Sequence, residues 1–445
     1  MSEKRQLIQP RTLKGFRDYL PTAAIPREAM METARVVFRS YGFVPIDTPA
    51  LEYEEILTGK GGEESDKQMF RFEDGGGRKV AMRFDLTVPL ARFVAQHANE
   101  LGMPFKRYHI GPVWRGENTQ RGRYREFIQC DFDTVGTTSM TADIETALVM
   151  HDLLDALEVG EFTIHLNNRK VLTGFLEKVG LSERATEVLR LIDKFKKLGA
   201  DEFYRVTIVD GMKSATVTDI MDFIQPSGST EERLNELSQA LTGVELGEQG
   251  VRELRDVADG LAAAGVDPSR LTIDPSIARG LDYYTGTVYE TFLDELPEIG
   301  SISSGGRYDE LANLYSKQEL PGVGASLGLD RLFGALEHLG KLPSRATTAR
   351  ILVPFFAADR RDDYLRLVTA LRREGLAVEF YPDAKKLGAQ LKYADRRGHE
   401  IALILGADEW QSGTAQAKLL ATGESCELPL EPPAALAAGL RELLG

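Results

Sequence analysis

The 445-residue chain exceeds what one hydrophobic core supports and implies about two to four domains. With 42% hydrophobic and 27% charged residues, and no apolar run approaching the roughly 20 residues that span a bilayer, the composition excludes a helical membrane protein and fits a soluble globular one. A formal charge of −14 excludes a surface that attracts nucleic acid as a whole, so such a partner would have to be met by local basic patches.

The opening residues Met1 to Gln6 contain no apolar segment resembling a signal peptide, and a cytoplasmic protein is expected. Cys130 and Cys426 stand far apart and form no disulfide or metal-ligand pattern. The six histidines include no pair at the spacing of a helical zinc site. No metal site built from protein side chains is expected.

From Arg27 to Tyr41, Met30, Met31, Ala34, Val37, Phe38 and Tyr41 recur at helical spacing, and Gly42 ends the helix. Phe43 to Pro49 reads as a strand, with Pro49 favouring an edge or a terminus. Residues 68–95 read as a hairpin around Asp74 to Gly77, followed by a helix starting near Val88 and Pro89. Strand pieces fill 105–135 around a charged, glycine-bearing loop, and strands joined in this way imply an antiparallel sheet. Residues 168–266 turn helical and charged and carry no chemical motif. Strand-like sequence resumes at Leu271, so this stretch reads as an insertion. A helix-rich stretch from Leu314 leads to a linker at Leu342 to Ser344.

Beyond the linker, a strand at 351–356, a helix at 360–373, a strand at 377–381, a helix at 384–397 and a strand at 401–405 alternate, as in a separate α/β domain. Residues 347–445 carry 13 Lys and Arg against 14 Asp and Glu, so nearly all the excess acid lies elsewhere. Lys385, Lys392 and Arg396 fall on one side of the second helix, which is either a solvated face or a basic patch.

Chemistry concentrates in three runs. In the run from Ala278 to Glu290, a period of two places Tyr283, Thr285, Thr287 and Tyr289 on one strand face, too rich in hydroxyls for an ordinary core face. Arg279 precedes them with a permanent charge suited to carboxylate or phosphate. In the run from Val113 to Asp133, Arg115, Arg121, Arg123 and Arg125 concentrate positive charge for an anion such as a polyphosphate. Phe127 is suited to stacking on a base, while Gln129, Asp131 and Asp133 alternate along the returning strand. As a local pattern the same loop is equally a salt-bridged hairpin. No phosphate loop is present, and Gly322 to Leu327 departs from the dinucleotide fingerprint, so arginine must hold any phosphate. Gly328 to Leu332 opens a helix that would add Arg331 and a positive dipole end. The third run, Ser303 to Asp309, is a glycine-rich strand where backbone can approach a ligand or simply turn.

In order, these segments resemble the histidyl-tRNA synthetases, a family of class II aminoacyl-tRNA synthetases. The resemblance covers nearly the whole chain: Lys14 to Asp18, the helix and strand ending at Pro49 (motif 1), Arg83 to Pro89, Arg115 to Phe127 (motif 2), Ala278 to Glu290, Ser304 to Asp309 and Gly328 to Leu332 (motif 3). It implies an α+β fold. An antiparallel-sheet catalytic domain (1–167 and 267–343) is interrupted by a helical insertion (168–266) and followed by an α/β anticodon-binding domain (347–445).

The implied reaction activates L-histidine with ATP to histidyl-adenylate and pyrophosphate, then transfers histidine to the 3′ end of its tRNA. Arg115 and Arg279 would contact the α-phosphate, stabilising charge as the carboxylate attacks. Phe127 and Arg331 would sandwich the adenine, with Glu117 on its edge. Asp85, Thr87 and Gln129 would take the α-amino group of histidine, and Asp133 and Tyr284 the imidazole, with Tyr283 in the same site. Arg121, Arg123, Lys385, Lys392 and Arg396 would meet tRNA. Mg2+ would arrive with ATP, and motif 1 would form a homodimer. Asp85 and Asp133 stand where many bacterial members carry glutamate, although Asp-Leu-Thr occurs in eukaryotic and archaeal relatives. A regulatory paralogue without aminoacylation is the competing reading. That class usually loses the catalytic arginines and the C-terminal domain, which are present here.

Overall fold

The computed structural model describes residues 8–58, 66–209, 211–225, 228–278, 283–343 and 345–445. The chain forms two compact units, one of Met30–Lys341 with the residues up to Arg17, the other of Leu342–Gly445 with Asp18–Ala29. The grouping of 18–29 with the C-terminal residues has no signature in the sequence pattern. Among the described residues no helix is long and apolar enough to cross a membrane.

The larger unit is built on an eight-stranded sheet. Its strands are β1 (Val44–Pro45), β5 (Phe105–Trp114), β6 (Glu126–Val135), β7 (Phe162–Asn168), β8 (Leu271–Ile273), β9 (Thr287–Leu293), β10 (Ser303–Tyr308) and β11 (Gly322–Gly328). They lie in the order β1-β5-β6-β11-β10-β9-β7-β8. The outer pairs β1–β5 and β7–β8 are parallel, and all other neighbours are antiparallel. The strands β2 (Leu51–Tyr53), β3 (Arg71–Glu73) and β4 (Lys79–Met82) form a separate antiparallel sheet.

The two faces of the large sheet differ because β6 alternates. Ile128, Cys130 and Phe132 point to one face, where Phe132 meets Phe38 (ring centroids 5.2 Å) and Phe43 (5.6 Å). Gln129, Asp131 and Asp133 point to the other. Pairing places Asp133 opposite Arg107 and Gly324, and Asp131 opposite His109 and Ser326.

The helix carrying Phe38 runs Pro21–Ser40, six residues earlier than its apolar pattern indicates and through Pro26. Strand pairing after it is confined to Val44–Pro45, because β1 meets only Arg107 and Tyr108 of β5 at the sheet edge. The run after Ala278 is also shorter as a strand than its alternation suggests. β9 begins at Thr287, and Tyr283, Tyr284 and Thr285 precede it in a segment fixed by Thr285, whose backbone N–H donates to the Arg307 carbonyl at 2.8 Å. Thr287 and Tyr289 are fully buried, and the Tyr289 hydroxyl donates to the Asp143 carbonyl at 2.8 Å. The hydroxyls on that face are therefore core hydroxyls.

Between β7 and β8 lie the helices Arg169–Lys178, Ala185–Ile192, Phe195–Leu198, Ala200–Val209, Ser214–Ile224, Thr230–Ala240 and Glu245–Ala263. Ser229 and Glu232 close a reciprocal capping box at the start of Thr230–Ala240. Phe175 stacks on Phe223 at 3.9 Å between two of the others.

The second unit holds a sheet in the order β13 (Val378–Phe380), β12 (Ile351–Val353), β14 (Ile401–Ile404), β15 (Thr414–Leu419), β16 (Ser425–Pro429). The first three are parallel, joined through the helices Arg361–Arg373 and Leu387–Arg397, and the last two are antiparallel. Ile351, Val353, Tyr364, Leu371, Leu403 and Leu436 belong to one core. The helix expected from 384 begins at Leu387, so Lys385 is not on its face. The buried Gln390 amide donates to the Lys385 carbonyl at 2.8 Å and holds that segment extended. Lys392 and Arg396 are exposed on the helix itself.

Candidate active site

A cavity of about 750 Å³ opens on the polar face of the large sheet. One wall is the stretch Arg83 to Thr87. The Arg83 guanidinium is buried and donates to the carbonyls of Thr48 (2.6 Å) and Pro112 (2.9 Å), which fixes this stretch against β5. Asp85 then accepts from the backbone N–H of Val88 at 2.9 Å, capping the helix Thr87–His97. Burial pushes the Asp85 carboxyl above the usual range, while that N–H bond and the positive charge of Arg115 act in the other direction.

Arg115 leaves the end of β5. Its Nε donates to the Phe84 carbonyl at 3.0 Å, and its guanidinium lies 4.3 Å from the Phe84 ring centroid and 5.0 Å from that of Phe127. Burial lowers its pKa against the pull of Asp85 and Glu117, and it stays a cation at neutral pH. Glu117, Arg123 and Phe127 line the same side, with Arg123 3.7 Å from the Glu117 carboxylate. Arg331 enters from the third position of the helix Leu329–His338 and donates to the Ser301 carbonyl. Asp330 beside it accepts from the Ile128 N–H at 2.7 Å, tying that helix to β6.

On the floor, Gln129 Nε2 donates to the Ser326 hydroxyl at 2.9 Å, and Ser326 in turn bonds Asp131. The Gln129 carbonyl oxygen is buried with no hydrogen-bond partner among the described residues. It is a ready acceptor for an amino group at the cavity wall. Tyr283 and Tyr284 close the floor from above, with ring centroids 5.1 Å apart, and Tyr283 bonds Thr87.

The cavity thus brings together Asp85, Thr87, Arg115, Glu117, Arg123, Phe127, Gln129, Tyr283, Tyr284 and Arg331. Asp133 lies behind the lining. It forms an ion pair of 2.6 Å with the fully buried Arg107 and accepts from the Tyr308 hydroxyl. A Cβ at Gly324 would stand 2.2 Å from Asp133 Oδ1, so only glycine lets this carboxylate lie across β11. Arg121 also lies off the lining, 2.9 Å from His338 Nδ1. Arg279 falls outside the described residues. Lys385, Lys392 and Arg396 belong to the other compact unit.

Several residues at the site escaped the sequence reading. Arg107 and Tyr308 hold Asp133, and the period-two run Arg107, His109, Gly111 on β5 was the available signal. Arg169 and the insertion residues Thr186, Leu189, Arg190 and Lys194 line the cavity, although nothing in their local pattern indicates chemistry. Among the described residues no group of three or more His, Cys, Asp or Glu is placed to hold a metal ion.

A mainly antiparallel sheet whose polar face carries an arginine-lined cavity is the catalytic architecture of the class II aminoacyl-tRNA synthetases. Residues 15–332 match the family model described as histidyl-tRNA synthetase, and residues 351–435 match the one described as anticodon binding domain. The chain is 57% identical over 420 residues to the histidine–tRNA ligase of Rhodopirellula baltica, covering 94% of this chain and 95% of that one. It is 47% identical over 408 residues to that of Treponema denticola, covering 90% of each. The crystal structure of histidyl-tRNA synthetase from a Nostoc species superposes with a TM-score of 0.89 at 36% identity, over 98% of this chain and all of that one. The chain belongs to the histidyl-tRNA synthetase family, whose members are ATP-dependent histidine–tRNA ligases.

The buried acids set a pH dependence. Burial raises the Asp131 carboxyl to about 7, partly offset by Arg107. The unfolded value is about 3.9. The folded chain therefore holds this proton more tightly, and the resulting stability is present below pH 4 or so and lost as pH rises through about 7. Urea unfolding across that range should show stability depending on pH with a more negative slope in the parent than in Asp131→Asn. An identical slope in both would remove Asp131 from the titrating groups.

Proposed function

We propose that this cavity activates L-histidine with ATP, releasing pyrophosphate, and then passes the histidyl group to the 3′ end of histidine tRNA in the cytoplasm. The observation that carries the reading is Arg115, a half-buried cation held by the Phe84 carbonyl between two aromatic rings and facing a buried acceptor floor. That geometry suits a reaction joining a carboxylate to a phosphate. A fixed guanidinium stabilises the charge that builds on the α-phosphate without reorganising during the step. Arg279 would supply the second such charge.

Phe127 and Arg331 flank the nucleotide base, with Glu117 on its edge. Asp85, Thr87 and the Gln129 side-chain oxygen, which has no hydrogen-bond partner among the described residues, take the ammonium group of histidine. Tyr284 and Tyr283 face the imidazole. Asp133 would act on it through its hold on Tyr308, since Arg107 already neutralises the carboxylate. A ring with two nitrogens paired in this way discriminates against side chains that leave buried groups unmatched. ATP-dependent ligation implies a divalent metal, and we take it to be Mg2+ brought in on the phosphates. The lining carboxylates Glu117 and Glu290 are hard oxygen donors of the kind it accepts.

In ATP–pyrophosphate exchange with each amino acid in turn, histidine alone should support turnover, and Arg115→Ala and Arg279→Ala should each lower the rate at least about 100-fold, the scale of a lost oxyanion-type donor. No histidine-dependent exchange by the parent would overturn the reading.

The 347–445 segment is taken as the tRNA-reading domain, with Lys392 and Arg396 exposed four residues apart on one helix and Lys385 in the segment before it. Reversing the three charges to glutamate should weaken tRNA binding about tenfold or more at low salt while leaving adenylation intact, as expected for lost phosphate contacts. Unchanged tRNA affinity would defeat that role.

A homodimer is supported by the sheet β2–β4–β3, where the exposed apolar side chains Leu51, Tyr53 and Phe72 share one face. Sedimentation should give twice the 49.3 kDa chain mass, and an active species at the chain mass would refute it.

A further inference from the structure

The N-terminal run Lys14 to Asp18 carries part of the family resemblance, yet no side chain of it lines the cavity. Gly15 and Arg17 lie instead against the loop that joins β5 to β6. The Gly15 carbonyl accepts from the Arg125 N–H at 2.8 Å, and the Arg125 carbonyl accepts from the Arg115 N–H at 2.9 Å. The root of the loop is thus paired into a third chain segment, one hydrogen bond from the backbone of Arg115. On its other side the Gly116 N–H donates to the Gln68 carbonyl at 2.7 Å. A Cβ on residue 116 would stand 2.9 Å from that same oxygen, so glycine here permits the clamp.

Arg17 completes the arrangement. Its Nη1 donates to the Tyr124 hydroxyl at 3.0 Å, and its Nη2 to Glu337 Oε1 at 3.0 Å. Its guanidinium also stands 5.8 Å from the ring centroids of both Tyr124 and Phe333. Tyr124 lies three residues before Phe127, and Glu337 lies on the helix that carries Arg331. At the far end of the loop, Gly122 backs directly onto the Arg331 backbone. One guanidinium therefore joins the two elements that bear the proposed adenine contacts.

We propose that Arg17 is a positioning residue for the nucleotide site: by joining Tyr124 of the loop to Glu337 of the helix, it sets the spacing between Phe127 and Arg331. This rests on the ATP-site reading above. Glu337 is half exposed, so the pair contributes little to global stability, and its effect is on geometry. Small displacements of groups that hold a substrate are costly in rate, whereas the histidine floor, built on β6 and β11, does not depend on this link.

The test is histidine-dependent ATP–pyrophosphate exchange, titrating ATP at saturating histidine and histidine at saturating ATP. Arg17→Ala should raise KM for ATP about tenfold and leave KM for histidine within about twofold, with the melting temperature within a few degrees of the parent. Arg17→Lys, which keeps the charge but not the planar fork, should fall between the two. An unaltered KM for ATP, or a parallel loss of both substrates with melting temperature, overturns the proposal. Should Arg17→Ala not fold, Tyr124→Phe removes only the hydroxyl link. It should shift KM for ATP in the same direction by a smaller factor, and no shift there overturns the proposal equally. A parent without histidine-dependent exchange defeats the ATP-site reading itself, whereas a normal parent beside an unaffected Arg17 variant defeats only the positioning role.

Discussion

The register between β5, β6 and β11 is the constraint on which the rest depends. Strand side chains alternate faces, so a slip of one residue would turn Gln129, Asp131 and Asp133 into the apolar face and bring Ile128, Cys130 and Phe132 into the cavity. The slip is opposed from both sides. Phe132 is packed against Phe38 and Phe43, while Asp133 is paired to Arg107 on one neighbour and crosses Gly324 on the other. Apolar packing behind the sheet and charge pairing in front of it therefore select the same alignment.

That alignment places ionisable groups where burial is expensive. Arg107 has no exposed surface, and two of its nitrogens lack a hydrogen-bond partner among the described residues. Removing either member of such a pair alone typically costs about 3–5 kcal/mol, because the other charge stays buried. The same cation opposes the upward shift of Asp131, Asp133 and Asp85 and, with burial and Arg83, pulls His109 down to about 3. His109 is thus neutral in the physiological range and cannot add positive charge to the floor. The floor is left as a set of carboxyl and amide oxygens around one buried cation.

Much of this was legible from residue order. The helix starting at Thr87, the antiparallel ladder around the arginine loop and the alternating C-terminal elements follow from periodicity and turn residues, and the cavity-facing position of Gln129 from its place in an alternating strand. The run after Ala278 was misread for a physical reason. Alternation reports which side chains share a face but not whether the face looks at ligand or core, and here Thr287 and Tyr289 look at the helix bearing Asp143. Lys385 was assigned to a helix because nothing local reveals that Gln390, buried through tertiary packing, would hold its carbonyl. The hairpin β15–β16 escaped notice because its inward positions are the small residues Ala415 and Ala417, which give a weak apolar signal. The insertion residues at the cavity are products of three-dimensional proximity alone.

The charge map carries the same logic to the substrate. The chain as a whole bears −14, yet among the described residues the cavity is lined by seven Lys and Arg side chains against four Asp and Glu. A net positive cleft inside a net negative surface concentrates field at its mouth and draws a polyanion to it, while the surrounding acid disfavours unspecific nucleic acid elsewhere. The lining cations come from segments distant in sequence, among them the loop (Arg115, Arg123), the helix after β11 (Arg331), and the insertion (Arg169, Arg190, Lys194). Part of the positive charge is therefore present only once the insertion is folded onto the sheet. An insertion with no motif of its own thus brings cationic side chains to the cavity, a placement that its local sequence cannot display.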